Sequence, residues 1–124
     1  MPDPDTRRLI ILGSTGSIGA QTLDVVEHLN TLADRGESSV RYEVVALAAG
    51  RNANALRAQA ERHGVSAIAL ADESIDAPAQ WRRGEAAAES LVTDIEADLV
   101  VSAMVGAATR ASLLARAIST PFRA

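Results

Sequence analysis

The residues best suited to chemistry form one short segment, Gly-Ser-Thr-Gly-Ser-Ile-Gly at positions 13–19. In such a loop Gly13 lets the chain turn sharply, and Gly16 lets the backbone approach a pyrophosphate because no Cβ stands in the way. Gly19 lets the following helix pack closely. The N–H groups of the first helical turn then face the anion, and hydroxyl groups in the loop can add donors. The segment predicts a nucleotide-binding loop, with a simple tight turn as the alternative.

A second candidate segment is Gly50-Arg51-Asn52, which follows a second apolar run. Sites that prefer NAD carry an acidic residue near this point for the ribose 2′-hydroxyl, whereas an Arg accepts the 2′-phosphate of NADP. The next carboxylate along the chain is Glu61. Arg51 is therefore predicted to hold a phosphate, with a solvated surface cation as the alternative. Asn52 could cap the next helix and donate to the same phosphate.

Other kinds of site find little support. The chain has no Cys, which excludes disulfides, thiolate metal sites and a cysteine nucleophile. His28 and His63 fall near predicted helix ends, where a structural role is expected. Trp81 is expected to cover the core only partly. No metal site is predicted among the acidic residues, and solvated or loop-turning roles are expected for five of them: Asp24, Asp72, Glu73, Asp94 and Asp98.

Alternating strands and helices must position these residues. Apolar runs predict strands over 8–12, 42–48, 65–70 and 99–103. Helices are predicted from residue 18 to a polar loop at 30–39, from Asn52 to His63 with Gly64 as the left-handed end, over 85–93, and over 109–119. No prediction is made for 71–83. The first helix is expected to bury one face, made of Ile18, Thr22, Val25, Val26, Leu29 and Leu32.

This order predicts an α/β fold, a Rossmann-like parallel sheet flanked by helices and incomplete at its C-terminal end. Residues 1–124 are expected to be one dinucleotide-binding domain. Ligands of such sheets bind at the carboxyl ends of the strands, so the loops after Leu12, Ala48, Leu70 and Ala103 are the places to expect a site.

Composition narrows the class of protein. The 124 residues include 12 Arg and no Lys, carry a net charge of −4, and are 48% apolar but only 2% aromatic. Such a chain can bury a core filled by Ala, Val, Leu and Ile. The mild acidity argues against nucleic-acid binding, and the short apolar runs argue against a membrane span or a signal peptide. We expect a soluble, cytoplasmic protein.

Five separated blocks resemble the amino-terminal domain of 1-deoxy-D-xylulose 5-phosphate reductoisomerases. The resemblance extends over about residues 9–108, with 30–41 as an insertion at a loop. The blocks are Gly-Ser-Thr-Gly-Ser-Ile-Gly at 13–19, Thr-Leu-Asp-Val-Val at 22–26, Val-Val-Ala-Leu-Ala-Ala-Gly-Arg-Asn at 44–52, Ala-Ile-Ala-Leu-Ala-Asp-Glu at 67–73 and Val-Gly-Ala-Ala at 105–108.

The resemblance implies an enzyme, a homodimer at full length, that rearranges and reduces its sugar phosphate with NADPH and a divalent metal, Mg²⁺ or Mn²⁺, in isoprenoid biosynthesis. It places Ser102-Ala103-Met104 along the path to the nicotinamide. By position it also implies a set of NADPH contacts, namely Thr15, Gly16, Ser17 and Ile18 at the pyrophosphate and Gly50, Arg51 and Asn52 at the 2′-phosphate.

The chain departs from the family pattern after Ala108, where Thr109-Arg110-Ala111-Ser112 replaces a Gly-Leu-x-Pro helix start. The family's metal carboxylates and sugar-phosphate ligands come later than this. We therefore expect a truncated NADPH-binding portion without catalytic or metal residues, inactive by itself. The alternatives are a non-catalytic nucleotide-binding module, an inactive remnant, and a fragment of a semialdehyde or acyl-phosphate reductase.

Overall fold

The computed structural model describes residues 5–103, which form five strands and three helices. In chain order these elements are β1 (Asp5–Leu12), α1 (Ser17–Asp34), β2 (Val40–Ala49), α2 (Ala53–His63), β3 (Ala67–Leu70), β4 (Arg82–Arg83), α3 (Ala87–Asp94) and β5 (Leu99–Ser102). The strands make one parallel sheet in the order β4-β3-β2-β1-β5. The predicted Rossmann-like α/β class is confirmed.

The strand register brings the loops of interest to one edge of the sheet. Leu12 at the end of β1 pairs with Ala48 of β2 and with Ser102 of β5, and Ala49 pairs with Leu70 of β3. Parallel strands that end level with one another place their following loops side by side. The glycine loop and the Gly50-Arg51-Asn52 segment are therefore neighbours across the end of the sheet.

Two apolar layers hold the sheet. Residues 9–12 of β1 are at most 3% exposed, and alternate side chains go to opposite faces, with Leu9 and Ile11 in one cluster and Ile10 and Leu12 in the other. The first cluster contains residues of α1 and α2, and the second contains residues of α3. Because both faces are covered, β1 has no polar alternation, which explains its continuous apolar run.

Helix α1 ends later than predicted, and its predicted buried face is only partly correct. The helix continues to Asp34 because the Asn30 side chain donates to the Tyr42 carbonyl and accepts from the Tyr42 N–H, both at 2.8 Å, which ties this turn to β2. Ile18 and Val25, expected inside, are 64% and 55% exposed. Val26 is buried as predicted, and the other buried residues are Gly19, Leu23 and Ala33.

The region 71–83 contains a strand that no sequence pattern indicated. β4 is two charged residues long and pairs with Ala69 and Leu70 of β3. Trp81, expected to cover the core only partly, is 8% exposed and belongs to the core cluster beneath α2. The helix predicted at 109–119 and residue Met104 lie outside the described residues.

Candidate functional site

The glycine loop follows β1 and is hydrogen-bonded to the end of β2. Gly13 has φ of +79°, the left-handed backbone that its place after β1 requires. The N–H groups of Gly13 and Ser14 both donate to the Ala48 carbonyl, at 2.8 and 3.0 Å. The sharp turn predicted at Gly13 is confirmed, and the loop begins from a fixed point on β2.

Two glycines of this loop lack a side chain for different reasons. A Cβ on Gly19 would lie 2.1 Å from the Gly13 carbonyl oxygen and 2.6 Å from the Ser14 Cα, so the packing of α1 on the loop demands glycine there. A Cβ on Gly16 would meet only the Gly13 oxygen, at 3.6 Å, and the φ of Gly16 is −73°. Neither its backbone nor its described neighbours require glycine at 16, and the space beside it is open to a ligand.

The N-terminus of α1 opens onto that space. Gly16 is the N-cap and makes no side-chain capping bond, and the first turn holds no acidic residue. The first intrahelical bond runs from the Ala20 N–H to the Gly16 carbonyl at 2.8 Å, so the preceding N–H groups have no intrahelical partner. With the half-buried Thr15 and the exposed Ser17 beside them, these donors suit an anion.

The second candidate segment lies at the end of β2. A Cβ on Gly50 would meet nothing within 4 Å. Asn52 caps α2, since its Oδ1 accepts from the Ala55 N–H at 3.1 Å, and this confirms the predicted cap. The bond occupies the side-chain oxygen and leaves the Nδ2 group as the donor that a ligand could use. The Arg51 side chain is 82% exposed.

An open cleft of about 860 Å³ lies beside Arg51. Its walls include Asp72 and Ser74 after β3, and Arg83 and Gly84 at the end of β4. Ser74 donates to Asp72 Oδ1 through its N–H at 2.9 Å and its hydroxyl at 2.6 Å, which confirms the expected loop-turning role of Asp72. These bonds, and then the nearby Arg51 and Arg83 guanidinium groups, lower the pKa of the Asp72 carboxyl.

Sequence reasoning missed that Asp72 and Arg83 share this cleft with Arg51. Arg83 donates through Nη2 to the Glu73 carbonyl at 2.9 Å and to the Ile75 carbonyl, and so fixes the turn after β3. The position of Asp72 just past β3 was a usable signal, because β3 ends level with β2. Arg83 gave none, since it sits on a strand that the sequence does not reveal.

Within residues 5–103 no group of three or more His, Cys, Asp or Glu side chains could hold a metal ion. Several acidic residues there are paired with basic residues or backbone groups. Glu27 contacts Arg62 and His63, and Asp98 accepts from the Arg8 N–H at 2.8 Å. A divalent metal therefore does not fit the described part of the chain. The helices of that part are also too short or too polar to cross a membrane.

Comparisons with known proteins agree with the resemblance drawn from the motifs. A family model described as 1-deoxy-D-xylulose 5-phosphate reductoisomerase matches residues 9–120. The chain is 44% identical over 108 residues to the enzyme of that name from Mycolicibacterium smegmatis, covering 85% of this chain and 25% of the relative. It is 43% identical over 106 residues to that from Mycobacterium tuberculosis, covering 81% and 23%. The chain thus spans about a quarter of the length of the curated relatives it matches.

Solved structures of similar fold are members of the same family. The reductoisomerase of Zymomonas mobilis in complex with NADPH is similar with a TM-score of 0.65 and 30% identity, covering 91% of this chain and 29% of that one. A DOX-P reductoisomerase in complex with NADPH, fosmidomycin and magnesium is similar with a TM-score of 0.69 and 28% identity, covering 90% and 28%. These matches favour this parentage over a semialdehyde or acyl-phosphate reductase.

Proposed function

Because the chain belongs to the 1-deoxy-D-xylulose 5-phosphate reductoisomerase family, we propose that it is a cofactor-binding portion of such an enzyme and binds NADPH. The observation that carries the proposal is an uncapped helix N-terminus at the end of β1, with an exposed cation at the end of the adjacent β2. The two features supply an anion site and a cation side by side at the carboxyl edge of one sheet.

The glycine loop is the proposed pyrophosphate site. Gly16 leaves room for the phosphates, and the free N–H groups at the start of α1 donate to them. The hydroxyl groups of Thr15 and Ser17 add donors, and the exposed Ile18 side chain offers an apolar contact beside them.

The Gly50-Arg51-Asn52 segment is the proposed site of the adenosine 2′-phosphate. Arg51 brings a permanent charge that can reorient, since its side chain is mostly in solvent. Asn52 contributes its Nδ2 group while its oxygen caps α2. Gly50 keeps the approach clear because no side chain projects there. This combination favours NADPH over NADH.

Hydride transfer to the sugar phosphate is proposed for the complete enzyme and not for this chain alone. Bound NADPH supplies the hydride, and the present residues bind and orient it. The described residues include no metal-type cluster, and the relatives that the chain matches are about three and a half times as long. The residues that polarise and position the substrate are therefore proposed to lie in sequence that this chain does not contain.

Calorimetric titration of the 124-residue chain with NADPH and with NADH tests the proposal. We expect one saturable site per chain and tighter binding of NADPH. Absence of binding to both nucleotides by folded protein would contradict a cofactor-binding role. Equal affinities would contradict the assignment of Arg51.

A further inference from the structure

The glycine loop is held by a side chain from another helix. Gln59, in the second half of α2, donates through Nε2 to the Ser14 carbonyl at 2.8 Å. In the part of the chain that the structure describes, this is the one side-chain hydrogen bond that another element makes to residues 13–16. No sequence pattern pointed to Gln59, because the two residues stand 45 positions apart.

The contact fixes the point from which the loop departs. Ser14 is fully buried, its N–H donates to the Ala48 carbonyl at 3.0 Å, and its own carbonyl accepts from Gln59. Both polar atoms of its backbone are thus used, one toward β2 and one toward α2. The Gly16 N–H then donates to the Gly13 carbonyl at 3.3 Å, so the fold of the loop builds on this anchored start.

The amide of Gln59 is retained there at a cost. Gln59 Oε1 and Ser14 Oγ are both buried without a hydrogen-bond partner among the described residues. Buried polar atoms left unpaired destabilise a fold, and an apolar side chain on α2 would avoid one of them. The Ser14 carbonyl would lose its partner with such a side chain, so Gln59 accepts one unpaired atom of its own and anchors the loop backbone in return.

The helix that carries Gln59 also begins at the proposed 2′-phosphate site. Asn52 caps α2, and Gln59 follows seven positions later, or about two helical turns. One rigid helix therefore joins the cation end of the site to the anion end. The bond from Gln59 to Ser14 adds to the bonds of the loop with β2 in fixing the separation between them.

We propose that Gln59 is a positioning residue, which keeps the glycine loop in register with α2 so that the two phosphate-binding ends of the site stay at a fixed separation. The inference rests on the proposed function. Because Gln59 acts on the pyrophosphate side, its loss should weaken NADPH and NADH by the same factor, whereas loss of Arg51 should weaken NADPH alone.

The test uses the full chain and the two variants Gln59→Met and Gln59→Glu, with Gln21→Met as the control. Gln21 is an exposed glutamine on α1. We expect Gln59→Met to weaken both nucleotides about 5- to 20-fold, because a loop that is no longer anchored must be ordered when the nucleotide binds. The control should bind as the unmodified chain does.

A pH series with Gln59→Glu separates positioning from a general loss of fold, with the acid-stable NADP⁺ and NAD⁺ as probes. An ionised carboxylate repels the Ser14 carbonyl, whereas a protonated carboxyl can donate to it. Relative to the unmodified chain at each pH, binding by this variant should be weak at pH 8 and recover as the pH falls toward 5.

Three results would overturn the inference. They are unchanged affinity in folded Gln59→Met, a loss confined to NADPH and NADP⁺, and a Gln59→Glu affinity that does not change with pH relative to the unmodified chain. An unmodified chain that binds neither nucleotide would instead contradict the proposed function itself, and this inference with it.

Discussion

Arg51 Nε lies 3.5 Å from Asp72 Oδ2, so the cation proposed for the 2′-phosphate is already paired with an acid from the next strand end. The hydrogen bonds from Ser74 and the charge of Arg51 lower the pKa of Asp72, which is therefore ionised at neutral pH. A 2′-phosphate that approaches Arg51 must compete with this carboxylate. The pair thus limits cofactor affinity, while it keeps the guanidinium beside the proposed 2′-phosphate site.

Replacing Arg51→Ala should remove most of the preference for NADPH over NADH. A charged hydrogen bond contributes about 1.5–3 kcal/mol, so the affinity ratio should fall by about 10- to 150-fold while NADH binding stays constant. Arg57→Ala is a matched control, because Arg57 is an exposed arginine on α2. Titration calorimetry with both nucleotides measures the effect. An unchanged ratio in the Arg51 variant would show that another group reads the phosphate.

Replacing Asp72→Asn should strengthen NADPH binding. The amide no longer repels the phosphate and no longer holds Arg51 by charge, while it can still accept from Ser74. At an exposed site such an interaction is small, so we expect about a two- to fivefold gain for NADPH and none for NADH. The gain should shrink in high salt because exposed charges are screened. Weaker NADPH binding would mean that Asp72 itself contacts the cofactor.

Two substitutions in the glycine loop should have different effects, one on nucleotide binding and the other on the fold. Gly16→Val adds a side chain where only one atom, at 3.6 Å, stands near, so the fold should persist while nucleotide binding is lost. Gly19→Ala drives a Cβ to 2.1 Å from the Gly13 oxygen, so the fold itself should be damaged. Circular dichroism and thermal melting, together with NADPH titration, distinguish the two. Tight NADPH binding by Gly16→Val would mean that the loop is only a tight turn and not a pyrophosphate site.

The contact between α1 and α2 should weaken in acid. Arg62 donates to Glu27 at 2.5 and 2.9 Å and lowers the pKa of that carboxyl below its ordinary 4.5. A lowered folded-state pKa stabilises the protein above pH 4.5, and the contribution disappears as the pH falls through the lowered value. Glu27→Gln should therefore reduce the melting temperature slightly at pH 7 and not at about pH 3.

Glu61→Gln is the control for that measurement, since Glu61 is an exposed glutamate on α2. It should melt as the unmodified chain does at both pH values. A Glu27→Gln variant that stays less stable than the unmodified chain at pH 3 would show that Glu27 acts through packing instead of charge.

The chain alone should not oxidise NADPH in the presence of 1-deoxy-D-xylulose 5-phosphate and Mg²⁺ or Mn²⁺. Positioning of substrate against cofactor can supply about 7–11 kcal/mol of barrier reduction, and cofactor binding by itself leaves that untouched. The loss of NADPH absorbance, followed against a protein-free sample, measures the reaction. Metal-dependent turnover above that background would mean that the chain contains catalytic residues that we have not placed.

The sequence alone was sufficient to predict those features that neighbouring residues decide. Gly13 with its turn, Asn52 with its cap and Gly64 with its left-handed φ of +65° are all set by residues a few positions away. The parallel class followed from the spacing of apolar runs such as 8–12, since buried strands and crossover helices leave distinct periods.

The sequence alone did not predict features that depend on contacts between distant residues. Helix α1 turns its Gly19 toward the loop backbone, and this rotation exposes Ile18 and Val25 in spite of their apolar character. Strand β4 is only two residues long, which is too short to show an alternation of apolar and polar residues. It forms by pairing with the free edge of β3. The contacts of Gln59 with Ser14 and of Arg51 with Asp72 join separate elements, so no local pattern could reveal them.

Titration of ¹⁵N-labelled chain with NADPH, followed by the backbone amide signals, tests the central claim most directly. We expect saturable shifts at the amides of Thr15–Ile18 and Gly50–Asn52 with NADPH. With NADH, the 15–18 group should shift as well and the 50–52 group should shift far less. Saturable shifts confined to other parts of the chain, or no shifts in folded protein at millimolar NADPH, would contradict it.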